Sequence, residues 1–197
     1  MTAVERMYPD DDQISPETIR HHKKRYEYAI THHPKIGPAL DLACGSGYGT
    51  EALRTAGFMP ATGVDISEEA LVYAKENFPK CDFAVADLAT YNPQESYFSI
   101  VTFFEAIEHV SREVGIRSLE IINKALVPDG IAFISTPRDI RSDVNPFHIT
   151  QWTSKELEDE LGKLFSDVQL LGQDWATGVI DPNRETHHAF FFAVCKK

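Results

Sequence analysis

The stretch that decides the fold is Asp41-Leu42-Ala43-Cys44-Gly45-Ser46-Gly47-Tyr48-Gly49. The apolar run that leads into it, Ala39 to Ala43, predicts a buried strand. The three glycines after the strand let the backbone turn sharply and approach a ligand closely. Turns of this kind serve NAD, FAD and other nucleotides, and a purely structural tight turn is the alternative. The turn by itself therefore predicts a strand followed by a nucleotide-like ligand.

Short apolar runs alternate with helical patterns through most of the chain. The runs that predict buried strands are Ala39 to Ala43, Ala61 to Val64, Phe83 to Val85, Ile100 to Phe104 and Ile131 to Ser135. Helices are predicted between them, one from Arg112 to Leu126 before a Pro128-Asp129-Gly130 turn. This alternation predicts a mostly parallel sheet with helices on both faces. Val168 to Leu171 and Ala189 to Val194 follow without an apolar helix between them, so one of that pair is predicted to be antiparallel.

The N-terminal region divides into an arm and a helix. Residues 1–14 are polar and charged, which predicts a solvated arm, and residues 15–197 are predicted to form one domain. Ser15-Pro16 predicts a helix start, and a helical period continues to His32-His33-Pro34, so residues 15–33 form a predicted lid helix. Its polar face carries the basic residues His21, Lys23, Lys24 and Arg25. That face is either solvated or contacts an anionic substrate.

Bulk properties narrow the class of protein. The chain has 197 residues, 43% of them apolar, which is enough for one buried core. Its net charge of -11 repels polyphosphate, so a nucleic acid is not an expected partner. The three cysteines lack CxxC spacing, which argues against disulfides and thiolate metal sites. With no apolar window long enough for a membrane span and no export signal, we expect a cytoplasmic protein. The composition says nothing about the oligomeric state.

Acidic residues follow the second and third predicted strands, at the sheet edge where such folds bind ligands. Asp65 ends Gly63-Val64-Asp65 and can accept both hydrogen bonds of a ribose diol; capping the helix that begins near Ser67 is the alternative. Asp87 can accept from an adenine amino group, with Leu88 beside the ring, or can serve as an ordinary turn residue. Both positions are consistent with a nucleoside ligand.

Five segments in order carry a family resemblance: DLACGSGYG, GVDIS, VADL, FFEAIEHV and LVPDGIAFISTP. Together they resemble the successive motifs of class I S-adenosylmethionine-dependent methyltransferases. The resemblance implies an α/β, three-layer Rossmann-like fold whose seven-stranded, mostly parallel sheet has its last strand antiparallel. It also implies S-adenosylmethionine as the cofactor. Ala43 stands where the motif has its first glycine, a departure with little consequence for binding.

The resemblance implies a role for each matching residue. Asp41 and the turn from Gly45 to Gly49 would hold the methionine moiety, and Asp65 would hold the ribose. Ile66 and Leu88 would contact the adenine faces. The complete predicted cofactor-binding set is Tyr26, Asp41, Ala43, Gly45, Gly47, Asp65, Ile66, Asp87, Leu88 and Phe104.

An NAD-dependent oxidoreductase is the main competing enzyme class. Its usual spacing is GxGxxG, whereas the third glycine here, Gly49, comes one residue earlier. The chain also lacks room for a separate substrate domain. The spacing therefore favours the methyltransferase interpretation.

A cluster of possible metal ligands follows the fourth predicted strand. Glu105, Glu108 and His109 stand at i, i+3 and i+4, so a helix there would project all three from one face, where they could share a divalent cation. His148, in the loop after the fifth strand, could complete the set at the same sheet edge. The alternatives are that the segment simply caps the sheet and that His109 is a packed, hydrogen-bonded side chain.

The ExxEH segment resembles those of ubiquinone-biosynthesis O-methyltransferases and small-RNA 2′-O-methyltransferases. That resemblance implies a metal, Mg or Mn, bound by Glu105, Glu108, His109 and His148 and contacting adjacent oxygens of the acceptor. We predict His109, Glu105 and His148 as the catalytic residues. Without a metal, His109 or His148 would act as general base.

The acceptor is the least constrained part of the prediction. The segments ERMYP, HHKKRYEYA and NPFHITQWT most resemble bacterial methyltransferases of glycan assembly, which implies O-methylation of a small-molecule or sugar hydroxyl. Acceptor specificity is expected to rest on the lid helix and on the loops from Arg138 to Trp152 and from Trp175 to His188. The second loop, which carries Arg184 and His187, could line an acceptor pocket or form a polar hairpin. A catalytically silent methyltransferase-like domain that binds a partner is the alternative of a different class.

Overall fold

The fold is built on the strands that the apolar runs predict. The computed structural model of the chain describes residues 7–8, 14–33, 36–138, 146–182 and 188–197. Its elements are, in chain order, α1 (Pro16–His32), β1 (Ala39–Leu42), α2 (Tyr48–Thr55), β2 (Ala61–Asp65), α3 (Glu68–Asn77), β3 (Asp82–Val85), β4 (Phe98–Phe104), a 3-10 turn (Ile107–His109), α4 (Arg112–Ala125), β5 (Leu126–Pro137), α5 (Ser154–Leu164), β6 (Asp167–Asp174), β7 (Ile180–Asp181) and β8 (His188–Lys196). The predicted turn at Pro128-Asp129-Gly130 lies inside β5, where Asp129 has φ +64° and the pairing with β4 shifts register.

Side-chain caps fix where the helices begin. The Ser15 hydroxyl accepts a hydrogen bond from the Thr18 N–H at 3.1 Å, which starts α1 at Pro16 as predicted. Thr153 and Glu156 form a reciprocal capping box at the start of α5. These local interactions satisfy N–H groups that have no partner within the helix, so they set the boundaries independently of the rest of the fold.

The strands form one sheet in the order β3-β2-β1-β4-β5-β8-β6-β7. The neighbours from β3 through to β5 pair in parallel, and β8 lies antiparallel between β5 and β6. The predicted antiparallel last strand is therefore confirmed. The predicted count of seven strands is wrong, because the two-residue strand β7 folds back on β6 as an eighth. So short a strand leaves no apolar period in the sequence from which it could be predicted.

Helices cover both faces of the sheet. Successive strand side chains point to opposite faces, so Phe103 packs with α4 and α5 while Phe104 packs with α1 and α2. The predicted three-layer architecture follows from this alternation. Among the described residues, no helix combines the length and the apolar character that crossing a bilayer requires.

The two predicted acceptor loops are described only in part. Residues 139–145 and 183–187, which include Arg184 and His187, lie outside the described residues. The segment after β6 forms a hairpin with β7, and the Trp175 ring lies 4.7 Å from that of His21, centroid to centroid. The hairpin thus packs on α1, the predicted lid helix.

The basic residues of α1 do not share one environment. His21 and Arg25 are buried, whereas Lys23 and Lys24 are exposed. Arg25 Nε donates to Gln173 Oε1 at 2.8 Å, and the guanidinium lies over the Phe190 ring. Half of the cluster therefore anchors α1 to the sheet, and only the lysines form a solvated face.

Candidate functional site

A buried carboxylate joins the elements that surround the site. Asp41, at the centre of β1, accepts hydrogen bonds from Tyr26 Oη at 3.0 Å, Thr50 Oγ1 at 2.8 Å and Thr102 Oγ1 at 2.7 Å. Its three donors stand on α1, α2 and β4. Burial raises the pKa of Asp41 to about 6, although the three hydrogen bonds work in the opposite direction. Asp41 thus holds the walls of the site together.

The glycine-rich turn after β1 adopts the predicted sharp bend. Ala43, Gly45 and Gly47 all have positive φ, at +58°, +53° and +80°. A Cβ on Gly47 would come within 2.7 Å of Phe83 and Ala74, so this glycine permits close packing within the protein. A Cβ on Gly45 would meet no atom within 4 Å. The backbone at Gly45 therefore faces open space.

Asp65 links the glycine turn to the start of α3. Its carboxylate accepts from the Gly45 N–H at 2.9 Å and from the Ser67 N–H at 2.9 Å. Asp65 therefore braces the turn before α3, whereas Ser67 itself caps that helix by accepting from the Ala70 N–H. Each carboxylate oxygen has a second lone pair, so these two contacts leave acceptor capacity for a ribose diol.

A cavity of about 380 Å³ opens beyond the carboxyl ends of β1, β2 and β4. Eight predicted cofactor-binding residues line it: Tyr26, Ala43, Gly45, Asp65, Ile66, Asp87, Leu88 and Phe104. Asp41 and Gly47 are not among the lining residues, because one is enclosed by its three donors and the other packs against Phe83. The cavity lies where parallel α/β sheets bind ligands.

The cavity also has lining residues outside the ten that were predicted to bind the cofactor. Met7, His22, Tyr48 and Phe147 line it. His22 precedes Tyr26 by four residues, so a helical projection of α1 could have indicated it. Burial lowers the pKa of His22 well below its ordinary value, and the nearby Arg25 acts in the same direction. A neutral imidazole therefore faces the cavity.

The lining fits a nucleoside with a polar tail. The Tyr48 hydroxyl is buried against the cavity and has no hydrogen-bond partner within the described ranges, so a ligand group could satisfy it. Gly45 presents bare backbone to the cavity, and Asp65 and Asp87 line it with carboxylate side chains. Asp87 also accepts from the Ala89 N–H at 2.8 Å, as the turn interpretation predicts. The residues present fit S-adenosylmethionine.

Glu105 is oriented differently from the other predicted metal ligands. Its φ of +49° is in the left-handed region, and the 3-10 turn begins only at Ile107. The three-residue face that a helix would have created is therefore absent. Glu105 Oε1 instead accepts from Ser135 Oγ at 2.7 Å and lies 3.4 Å from Arg25 Nη1, while the residue still lines the cavity.

Three of the four predicted metal ligands come together. The donor atoms of Glu108, His109 and His148 all lie within 4.8 Å of one another, and Glu105 is not part of this group. Glu108 is fully buried; one of its oxygens accepts from Thr136 Oγ1 at 3.0 Å, and Oε1 has no partner in the part of the chain that the structure describes. Burial and the nearby Glu105 raise the Glu108 pKa well above its usual range. A cation there would supply the missing partner.

Backbone contacts hold His148 against His109, although 39 residues separate them in sequence. The N–H groups of Ile149 and Thr150 both donate to the Glu108 carbonyl, at 2.9 and 3.0 Å. Trp152, fully buried under the Arg112 guanidinium, anchors the end of the same loop. The imidazole rings of His109 and His148 consequently lie 4.8 Å apart, centroid to centroid.

The tautomer of His109 follows from its hydrogen bond. His109 Nδ1 lies 3.1 Å from the Phe147 carbonyl, which can only accept, so Nδ1 carries the proton of the neutral ring. Nε2 then keeps its lone pair for a metal ion or a proton.

About half of the chain matches known proteins in sequence. Residues 39–130 match the methyltransferase domain family. A ubiquinone biosynthesis O-methyltransferase of Methylococcus capsulatus is 35% identical over 105 residues, which cover 50% of this chain and 42% of the relative. A trans-aconitate 2-methyltransferase of Sinorhizobium medicae is 34% identical over 108 residues, which cover 53% and 40%. The resemblance to class I S-adenosylmethionine-dependent methyltransferases is confirmed.

Solved structures extend the likeness in fold to nearly the whole of this chain. A SAM-dependent methyltransferase from Archaeoglobus fulgidus superposes with a TM-score of 0.74 at 20% identity, covering 94% of this chain and 96% of that one. The matched segment in the sequence relatives spans less than half of their length. The family match over residues 39–130 contains the glycine turn on which the NAD-dependent alternative depended. The solved structure therefore shares the fold of this chain, and the glycine turn lies within the segment that matches the methyltransferase domain family.

Proposed function

We propose that the chain is an S-adenosylmethionine-dependent O-methyltransferase, acting on a small-molecule or glycan hydroxyl that a divalent metal activates. The observation that carries the proposal is the position of His109. This residue lines the cofactor-sized cavity and also belongs to the three-residue donor group with Glu108 and His148. A methyl donor in the cavity and an acceptor bound at Glu108, His109 and His148 would therefore both lie beside His109.

Different residues of the cavity would bind different parts of the cofactor. Asp65 and Asp87 would hold the ribose and adenine, and the Gly45 backbone and the Tyr48 hydroxyl would hold the methionine end. The acceptor oxygen would attack the methyl carbon in line, the carbon–sulfur bond would break, and S-adenosylhomocysteine would leave. If no metal is bound, His109 Nε2 or His148 would instead take the hydroxyl proton as general base.

Glu108, His109 and His148 would hold the metal. Mixed carboxylate and imidazole donors suit Mn at least as well as Mg, which prefers oxygen ligands. Bound there, a divalent cation would lower the pKa of an acceptor hydroxyl. Glu105, with Ser135 and Arg25 as partners, would face the reacting end of the cavity rather than the metal.

The relatives support a small acceptor. Their names record an O-methyltransferase of ubiquinone biosynthesis and a 2-methyltransferase of trans-aconitate. The net charge of -11 argues in the same direction, because it disfavours a polyphosphate partner. We therefore place a small-molecule or sugar hydroxyl ahead of RNA.

The test combines an acceptor screen with a metal-site variant. Methyl transfer would be measured over sugar nucleotides, catechols and short RNAs, with and without Mn. In Glu108→Gln we expect at least 100-fold slower transfer and lost Mn binding, with the Kd for S-adenosylhomocysteine changed less than twofold. Glu113→Gln, an exposed carboxylate on α4, is the matched control and should behave as wild type.

Several outcomes would contradict parts of the proposal. Full activity after exhaustive chelation would exclude the metal. No transfer to any acceptor class, with intact binding of S-adenosylhomocysteine, would favour the catalytically silent domain. Tight binding of NADH but not of S-adenosylhomocysteine would restore the oxidoreductase.

A further inference from the structure

Met7 lies against the cavity and Tyr8 packs on α3 beside it, although the sequence placed both in a solvated arm. Met7 lines the cavity and is half-buried, and its carbonyl accepts a hydrogen bond from Ser46 Oγ at 2.7 Å. Ser46 is fully buried and stands between Gly45 and Gly47 of the glycine turn. This hydrogen bond ties the N-terminal segment directly to the glycine turn, whose backbone lines the same cavity.

This segment makes a second contact, and that contact lies outside the cavity. The Tyr8 ring meets the Tyr73 ring of α3 edge to face, with centroids 5.1 Å apart and an interplanar angle of 83°. Edge-to-face pairs of this geometry are favourable. Tyr73 does not line the cavity, so it can affect a ligand there only through its neighbours.

We infer that Met7 and Tyr8 form a strap that retains the cofactor, with Met7 covering the ligand and the Tyr8–Tyr73 contact latching the segment in place. The inference depends on the proposed function, since the retained ligand is S-adenosylmethionine or S-adenosylhomocysteine. The described anchors of the strap are one hydrogen bond and one ring pair. Such a segment opens locally at far lower cost than the sheet, so its opening would limit how fast the ligand leaves.

The latch can be tested by the dissociation of radiolabelled S-adenosylhomocysteine, chased with unlabelled ligand. We expect Tyr8→Ala and Tyr73→Ala each to dissociate about three to ten times faster than wild type, because each releases the same partly buried apolar segment. Association should change less than twofold. The double variant should dissociate no faster than the faster single variant, since both changes remove one contact.

The control is Val72→Ala, at an exposed position beside Tyr73 on the same helix. It should leave dissociation within twofold of wild type and thus exclude a general loosening of α3. Unchanged dissociation in both single variants, or effects that multiply in the double variant, would overturn the strap. A wild-type protein that does not bind S-adenosylhomocysteine would instead overturn the proposed function.

Discussion

At the scale of single residues, Asp41 shows how one group can serve structure at an electrostatic cost. Its carboxylate is almost fully buried, and its three hydroxyl donors stand on three different elements. The hydrogen bonds favour the ionised form, but burial outweighs them and leaves the pKa near 6, above the ordinary 3.8. The folded protein therefore binds the Asp41 proton more tightly than the unfolded chain does.

This difference predicts a pH dependence of stability. Between pH 4 and pH 6 the folded state keeps the proton that the unfolded state has lost, so the Asp41 contribution to the free energy of unfolding falls as pH rises, then levels off above pH 6. Asp41→Asn lacks this titration. Urea unfolding from pH 4 to pH 7.5 should show wild type losing on the order of 3 kcal/mol relative to Asp41→Asn. A difference that does not vary with pH would contradict the burial of an ionisable Asp41.

At the scale of elements, the packing of α1 against α2 requires a glycine at position 49. A Cβ on Gly49 would overlap the Tyr26 ring. That ring cannot move aside, because its hydroxyl is bonded to Asp41 and it packs edge to face on Tyr48 and Phe104. Gly49 therefore sets how closely the predicted lid helix approaches the glycine turn.

Two glycine substitutions separate this packing effect from helix propensity. Gly49→Ala should lower the free energy of unfolding by about 1–3 kcal/mol, because the added methyl group enters a filled space. Gly162, in α5, has nothing within 4 Å of an added Cβ, so Gly162→Ala should raise stability by about 0.5–1 kcal/mol. Chemical denaturation of both variants measures the contrast. Stabilisation by both substitutions would show that the Tyr26 contact is dispensable.

At the scale of the whole molecule, the cavity gathers residues from most of the chain. Met7 comes from the N-terminal segment, Asp65 from the end of β2 and Phe147 from the loop before α5. A ligand in the cavity would contact these parts only when they are folded together. Binding should therefore stabilise the native state as a unit.

The expected stabilisation is measurable by thermal unfolding. S-adenosylhomocysteine at about 100 times its Kd should add about 2.7 kcal/mol, which corresponds to roughly 5–10 °C in Tm for a domain of this size. Asp65→Ala should lose this shift, because the carboxylate that shapes the turn and faces the ribose is gone. Asp82→Ala, at an exposed position of β3, is the control and should keep the shift. A full shift in Asp65→Ala would remove Asp65 from the cofactor site.

The sequence by itself determined where the strands of the parallel part of the sheet lie along the chain, the helix start at Ser15, and the glycine turn with Asp65 after it. These features are local: a period of two or 3.6 residues, a cap or a tight turn depends on residues close together in the chain. The strand positions, the helix start and the glycine turn could therefore be predicted without a structure. Eight of the ten predicted cofactor-binding residues line the cavity for this reason.

Only the tertiary structure decided which of the distant residues meet. His148 reaches His109 because a loop is fastened to the Glu108 carbonyl, and Met7 covers the cavity because Ser46 holds its backbone. Glu105 leaves the ligand group because Ser135 and Arg25 hold its carboxylate, while its backbone takes a left-handed conformation that no local pattern indicates. Such contacts depend on the packing of elements far apart in sequence, and their geometry is fixed only when the whole chain has folded.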